Sequence, residues 1–79
     1  MYFVYILQSE KDNGFYTGFS EDVEDRLQDH NWHLAIYTSS KAPYELIWYC
    51  AFQDKNQALA FEKYLKSGSG FAFRNKHLV

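Results

Sequence analysis

Cysteine is nearly absent from this sequence. The 79 residues contain one, Cys50, so no intrachain disulfide can form. That excludes a disulfide-stapled secreted scaffold, and a lone thiol in a small chain fits a reducing cytoplasm. Proline is as scarce, with Pro43 alone, and no repeat or low-complexity stretch interrupts the chain, which argues against disorder. Long apolar runs are also missing. The opening MYFVYILQSEKD has no basic n-region, and its apolar stretch is too short for a signal peptide or a membrane span. A basic excess is missing too: the net charge is −2, whereas phosphate binding is usually driven by a basic face. These absences predict a soluble, cytoplasmic protein with no membrane contact. The length predicts a single domain over residues 1–79.

What the chain has in quantity is aromatic side chains: seven Phe, seven Tyr and two Trp. A domain of this size buries only about 60% of the surface its unfolded chain exposes, so its core needs large residues. Charge is unevenly spread. Residues 1–40 carry two basic and seven acidic side chains, and residues 41–79 carry six basic and three acidic. A polyanion would therefore find most of its attraction in the second half. The ordinary alternative is that these lysines solvate a helix face.

Residues 2–8, YFVYILQ, read as a strand. Asp12-Asn13-Gly14 follows, with Asn-Gly as a strong hairpin signal because both residues tolerate positive φ. Phe15 to Phe19 is the antiparallel partner strand. Ser20 is a suitable N-cap, and Glu21 and Asp22 favour the first turn of a helix over residues 21–30 with Val23 and Leu27 as its core stripe. Residues 31–43 read as an ordered loop. Tyr44 to Phe52 is a third strand, apolar enough to sit centrally in a sheet. Asp54 and Gln57 resemble a capping box that opens a helix over 55–66. Ser67-Gly68-Ser69-Gly70 should break that helix, and Phe71 to Leu78 forms a short terminal one. The order β-β-α-β-α-α predicts an α+β fold: a three-stranded, at least partly antiparallel sheet flanked by helices.

Helical phase adds one chemical clue. At ~100° per residue from Ala58, Leu59, Phe61 and Leu65 define an apolar arc, and Glu62 falls inside it. A carboxylate among core positions costs several kcal/mol unless it is paired, metal-bound or at a cleft. Arg26 and His30, spaced i,i+4, share a neighbouring helix face.

Together these residues resemble the GIY-YIG nuclease superfamily, and most closely its small, single-domain bacterial members. Phe3-Val4-Tyr5 on the first strand and Tyr16-Thr17-Gly18 on its partner are similar to the paired GIY and YIG motifs. The arginine of Arg26-Leu27-Gln28-Asp29-His30, the glutamate of the second helix (Glu62) and Asn75 follow in order, so the likeness spans about Tyr2 to Leu78. It implies a metal-dependent endonuclease acting on DNA. Glu62 would bind Mg²⁺ or Mn²⁺, since a hard cation often takes only one or two protein ligands. Arg26 would contact phosphate, for which a guanidinium is well shaped. Tyr5 or Tyr16 would position or deprotonate the attacking water, and His30 would relay the proton. Gly18, Lys63, Lys66 and Asn75 are the expected substrate contacts.

Each residue also has an ordinary reading: strand tyrosines, an Arg26–Asp22 ion pair, a helix-capping His30, a surface Asn75, and a packed, inert Cys50. The sequence departs from the family pattern at Phe3 and Thr17, in the apolar Phe19 after the second motif, in the acidic Glu24-Asp25 beside Arg26, and in Phe71. These departures keep the reactive set but thin the basic surface. They leave open a non-catalytic module that binds nucleic acid or a protein, and they suggest that a protein partner supplies specificity.

Overall fold

The aromatic and β-branched run at the start of the chain becomes the centre of the sheet. The structure, a computed structural model, describes residues 1–22 and 43–79. Strand β1 (Tyr2–Ser9) pairs antiparallel with both β2 (Phe15–Ser20) and β3 (Tyr44–Phe52), giving the order β2-β1-β3. Val4, Tyr5, Ile6 and Leu7 are all buried, as a strand covered on both faces requires. The expectation that β3 sits centrally is corrected: among the described residues it is an edge strand. Its apolar character has another cause. The register shifts between Ile6 and Leu7, which face Trp48 and Leu46, so Ile47 is the extra residue of a β-bulge. The bulge exchanges the alternation, placing Tyr44 and Leu46 on the face of Leu7 while Trp48, Cys50 and Phe52 join Val4 on the other.

The β1–β2 turn is a five-residue loop. Ser9 N–H donates to Gly14 O at 2.8 Å and Asn13 N–H to Ser9 O at 3.0 Å. Only Asn13 adopts positive φ, at 63°, while Gly14 does not, so the Asn-Gly signal marks the turn without the two-residue geometry. Ser20 Oγ accepts from Asp22 N–H at 2.9 Å, and the predicted helix over 21–30 lies beyond it, from residue 23 on outside the described residues.

Helix α1 (Lys55–Leu65) starts as the sequence predicts, with Asp54 Oδ2 accepting from Gln57 N–H at 3.1 Å. It lies across all three strands. Its inward positions are Ala58, Phe61, Glu62 and Leu65, whereas Leu59 is exposed, which moves the apolar arc by one residue. Rings fill the layer beneath: Trp48–Phe61 at 6.2 Å and Phe52–Phe61 at 5.7 Å, continued through Phe61–Tyr64 and Tyr64–Phe73 to a second helix. That helix, α2 (Gly68–His77), begins three residues earlier than Phe71. Ser67 is its N-cap, accepting from Gly70 N–H at 3.2 Å, and Gly68-Ser69-Gly70 is its first turn rather than a broken stretch. Glycine at position 70 is required by space: a Cβ there would overlap Tyr64 O and Leu65 Cα.

Candidate catalytic site

The pleat decides which motif residues meet. Residues directly opposite in neighbouring strands share a face, so the pairs Tyr5↔Gly18 and Leu7↔Tyr16 put both motif tyrosines on one side of the sheet. Their ring centroids are 6.5 Å apart. Tyr5 is fully buried and Tyr16 half-buried. Tyr5 lies flat over Gly18, where an added Cβ would run into its hydroxyl and Cζ. Gly18 has no positive φ. Its role is therefore to give the Tyr5 ring room, and the glycine of the second motif is coupled sterically to the tyrosine of the first.

The opposite side of the sheet carries α1, and from it the glutamate reaches the tyrosine edge through a lysine. Glu62 Oε2 and Lys66 Nζ are 3.3 Å apart, an i,i+4 pair with side chains 21% and 50% exposed. The same Nζ lies 5.8 Å from the centre of the Tyr16 ring. An exposed pair of this kind contributes only about 0.3–0.5 kcal/mol, so its interest is positional. It leaves the other oxygen of Glu62 without a partner among the described residues. Among the described residues no group of three metal-ligating side chains occurs, so a cation here would rest on one carboxylate and water. That donor set suits Mg²⁺, which keeps several waters and accepts one or two carboxylates. Lys63, expected as a substrate contact, is exposed in the last turn of α1.

A second cation stands beside the same strand end, and nothing in the sequence reading singled it out. Arg74 of α2 is 7% exposed. Its guanidinium lies 5.0 Å from the Phe15 ring centre and 4.6 Å from that of Phe71. Nε and Nη2 donate to Asn75 Oδ1 at 3.2 and 3.1 Å. Burial pulls its pKa below the ordinary arginine value, yet an arginine stays cationic at neutral pH. Asn75, expected to touch substrate, thus spends its carbonyl oxygen on Arg74. The available signal was the spacing Gly70–Arg74, an i,i+4 pair that turns both residues inward on one helix. Arg26 and His30 lie outside the described residues.

Thr17, in the middle of the second motif, is 5% exposed, and its hydroxyl finds no hydrogen-bond partner among the described residues. It faces Ile6 across the strands, on the helix-covered side, where an aliphatic residue would be at ease.

Comparison with known proteins identifies the family. Residues 1–76 match the GIY-YIG catalytic domain. A UPF0213 protein of Lacticaseibacillus paracasei is 39% identical over 66 residues, covering 82% of this chain and 73% of the relative. A UPF0213 protein of Clostridium perfringens is 37% identical over 67 residues, covering 84% and 71%. The solution NMR structure of a UPF0213 protein from Bacillus halodurans superposes with a TM-score of 0.57 at 31% identity, covering 96% of this chain and 84% of that one. Among the described residues no helix is long and apolar enough to cross a membrane. On the match over residues 1–76 and the similarity to these relatives, this chain belongs to the GIY-YIG catalytic domain family, within the GIY-YIG nuclease superfamily.

Proposed function

We propose that this chain is a divalent-metal-dependent endonuclease that hydrolyses phosphodiester bonds of DNA, including damaged, branched or single-stranded forms. The observation that carries the reading is the convergence at Tyr16: it shares a face with Tyr5 and lies under Lys66, which in turn pairs with Glu62. Hydrolysis needs a positioned water and countercharge for the phosphate as it gains a fifth oxygen. The paired tyrosine hydroxyls supply the hydrogen-bonding groups that hold a water. The Lys66 ammonium supplies countercharge beside them and keeps the Glu62 carboxylate oriented toward the same edge. Mg²⁺ or Mn²⁺ bound at Glu62 would supply the remaining charge stabilisation for the phosphate. Arg26 and His30 keep their proposed roles in gripping phosphate and moving a proton. A protein partner that supplies specificity belongs to the same proposal.

The test is to incubate the protein with end-labelled single-stranded, duplex, nicked and branched DNA in Mg²⁺ or Mn²⁺, with Glu62→Gln alongside. Glu62→Gln should leave the fold intact and lower the cutting rate by at least ~100-fold, the scale of losing one electrostatic stabiliser. Equal cutting by both proteins sinks the assignment of Glu62. No cutting by either, with tight DNA binding retained, replaces the nuclease with a binding module.

A further inference from the structure

An arginine taken out of water usually brings a carboxylate with it, because an unpaired buried charge costs several kcal/mol. Arg74 is almost wholly buried and has no acidic partner among the described residues. Its surroundings are two rings and one amide oxygen. Of its five N–H groups, Asn75 Oδ1 takes the Nε donor and one from Nη2. Both donors of Nη1 and the second of Nη2 have no partner among the described residues. Two of these, one on each terminal nitrogen, form the end-on edge of the guanidinium, the fork that matches two oxygens of a phosphate. The side-on contact with Asn75 and the nearby Phe15 and Phe71 rings hold that fork in one orientation. A donor fixed before the ligand arrives loses little freedom on binding. We propose that Arg74 is a phosphate-binding residue for single-stranded nucleic acid, with Asn75 as its positioning residue and Phe71 and Phe15 as the stacking surfaces beside it.

Two observations favour a single strand. Phe71 and Phe15 are 53% and 38% exposed, so their rings have surface left for unpaired bases as well as for the guanidinium. Base stacking on an aromatic ring is open to a single strand and closed to the inside of a duplex. Placement supports the same ligand. Phe15, under Arg74, and Tyr16, under Lys66, are consecutive residues at the start of β2. One strand laid across this edge would set a phosphate at the Glu62–Lys66–Tyr16 group and a neighbouring one at Arg74. The inference rests on the nucleic-acid reading proposed above, but it concerns binding and needs no cutting.

The measurement is fluorescence anisotropy of a labelled single-stranded oligonucleotide in EDTA, over a series of salt concentrations, for the unaltered protein, Arg74→Met, Arg74→Lys and Phe71→Ala. Methionine keeps an unbranched stem beside the rings and removes the charge. Arg74→Met should weaken binding about tenfold, and the slope of log affinity against log salt should fall by about 0.7, the value for one phosphate on a single strand. Arg74→Lys should restore the slope but only part of the affinity. Phe71→Ala should weaken single-strand binding about tenfold at an unchanged slope, and leave duplex binding as it was. A folded Arg74→Met with unaltered affinity and slope would reduce Arg74 to a packing residue, while the nucleic-acid reading stood. If the unaltered protein binds no oligonucleotide in EDTA, the Arg74 proposal falls, and the cutting assay in Mg²⁺ or Mn²⁺ decides the nuclease reading separately. Should Arg74→Met fail to fold, the Nε–H resonance of Arg74 in the intact protein decides. Its shift on adding the oligonucleotide supports the proposal, and an unmoved resonance overturns it.

Discussion

The two faces of the central strand are built from the same kinds of residue and do different work. On one, Val4 packs with Ala58 and Leu65 under α1, surrounded by Phe19, Trp48, Phe52, Phe61 and Phe73. On the other, Tyr5 and Leu7 pack with Tyr44, Tyr16 and Leu46. The first face is ring on ring with few polar atoms. The second places hydroxyls among its apolar surfaces. Burial of apolar area stabilises the fold, so a face of bare rings suits a core, and a face of tyrosines suits the water and phosphate handling that the proposed function asks of it. Each layer contains a glycine that is there for space, Gly70 in the helix layer and Gly18 under Tyr5. These two positions offer a direct way to separate stability from chemistry.

The largest effect is expected at Gly70. Gly70→Ala sets a methyl against the backbone of Tyr64 and Leu65, which cannot swing aside, and should cost about 3 kcal/mol, the upper part of the usual overpacking range. Urea unfolding would show it, and activity should fall only in step with the folded fraction. Gly18→Ala meets the end of a side chain instead, so its cost should be smaller, about 2 kcal/mol. Here catalysis should drop further than stability, because the Tyr5 ring is displaced. Equal losses for both variants in both assays would erase the distinction between the faces. Thr17→Val sharpens it from the opposite direction. Removing a buried hydroxyl that has no partner among the described residues, at constant shape, should stabilise the protein by about 1 kcal/mol with cutting unchanged.

The smallest expected effect is at Cys50. Burial raises its thiol pKa, partly offset by a hydrogen bond to the Val4 backbone. A folded pKa above the unfolded one means that this group's stabilisation is complete below the unfolded pKa and is lost as pH climbs through the alkaline range. At pH 7.5 the folded protein should react with a thiol reagent much more slowly than the denatured chain. Fast labelling of the folded form would show that the ring-packed face opens more readily than its burial suggests.

Much of this was legible in the residues. Local signals fixed the hairpin, the three strands and the Asp54 cap, because strand alternation and capping depend on near neighbours. The inward turn of Glu62 was visible from helical phase, and the structure pairs it with Lys66, which phase alone does not give. What escaped depends on contacts distant in sequence. The bulge at Ile47 is set by pairing with β1, so β3 read as a central strand. The early start of α2 is permitted by the fit of Gly70 against α1, which outweighs the low helix propensity of Gly68-Ser69-Gly70. Arg74 went unnoticed because its meaning comes from Phe15, far away in the chain. The parts of the site that need Arg26 and His30 rest on the resemblance.

The junction between the two helices carries a further consequence. Ser67 Oγ donates to Tyr64 O at 2.6 Å and accepts from Gly70 N–H at 3.2 Å, so one side chain closes α1 and opens α2. It acts as a mitre joint, fixing the angular phase of α2 relative to α1. Inserting a single residue there would turn α2 by ~100°. Glu62 and Lys66 would keep their places while Arg74 swung away from Phe15. Under the proposals above, the separation of the two charged points would then no longer be a fixed gauge for successive links of a polymer.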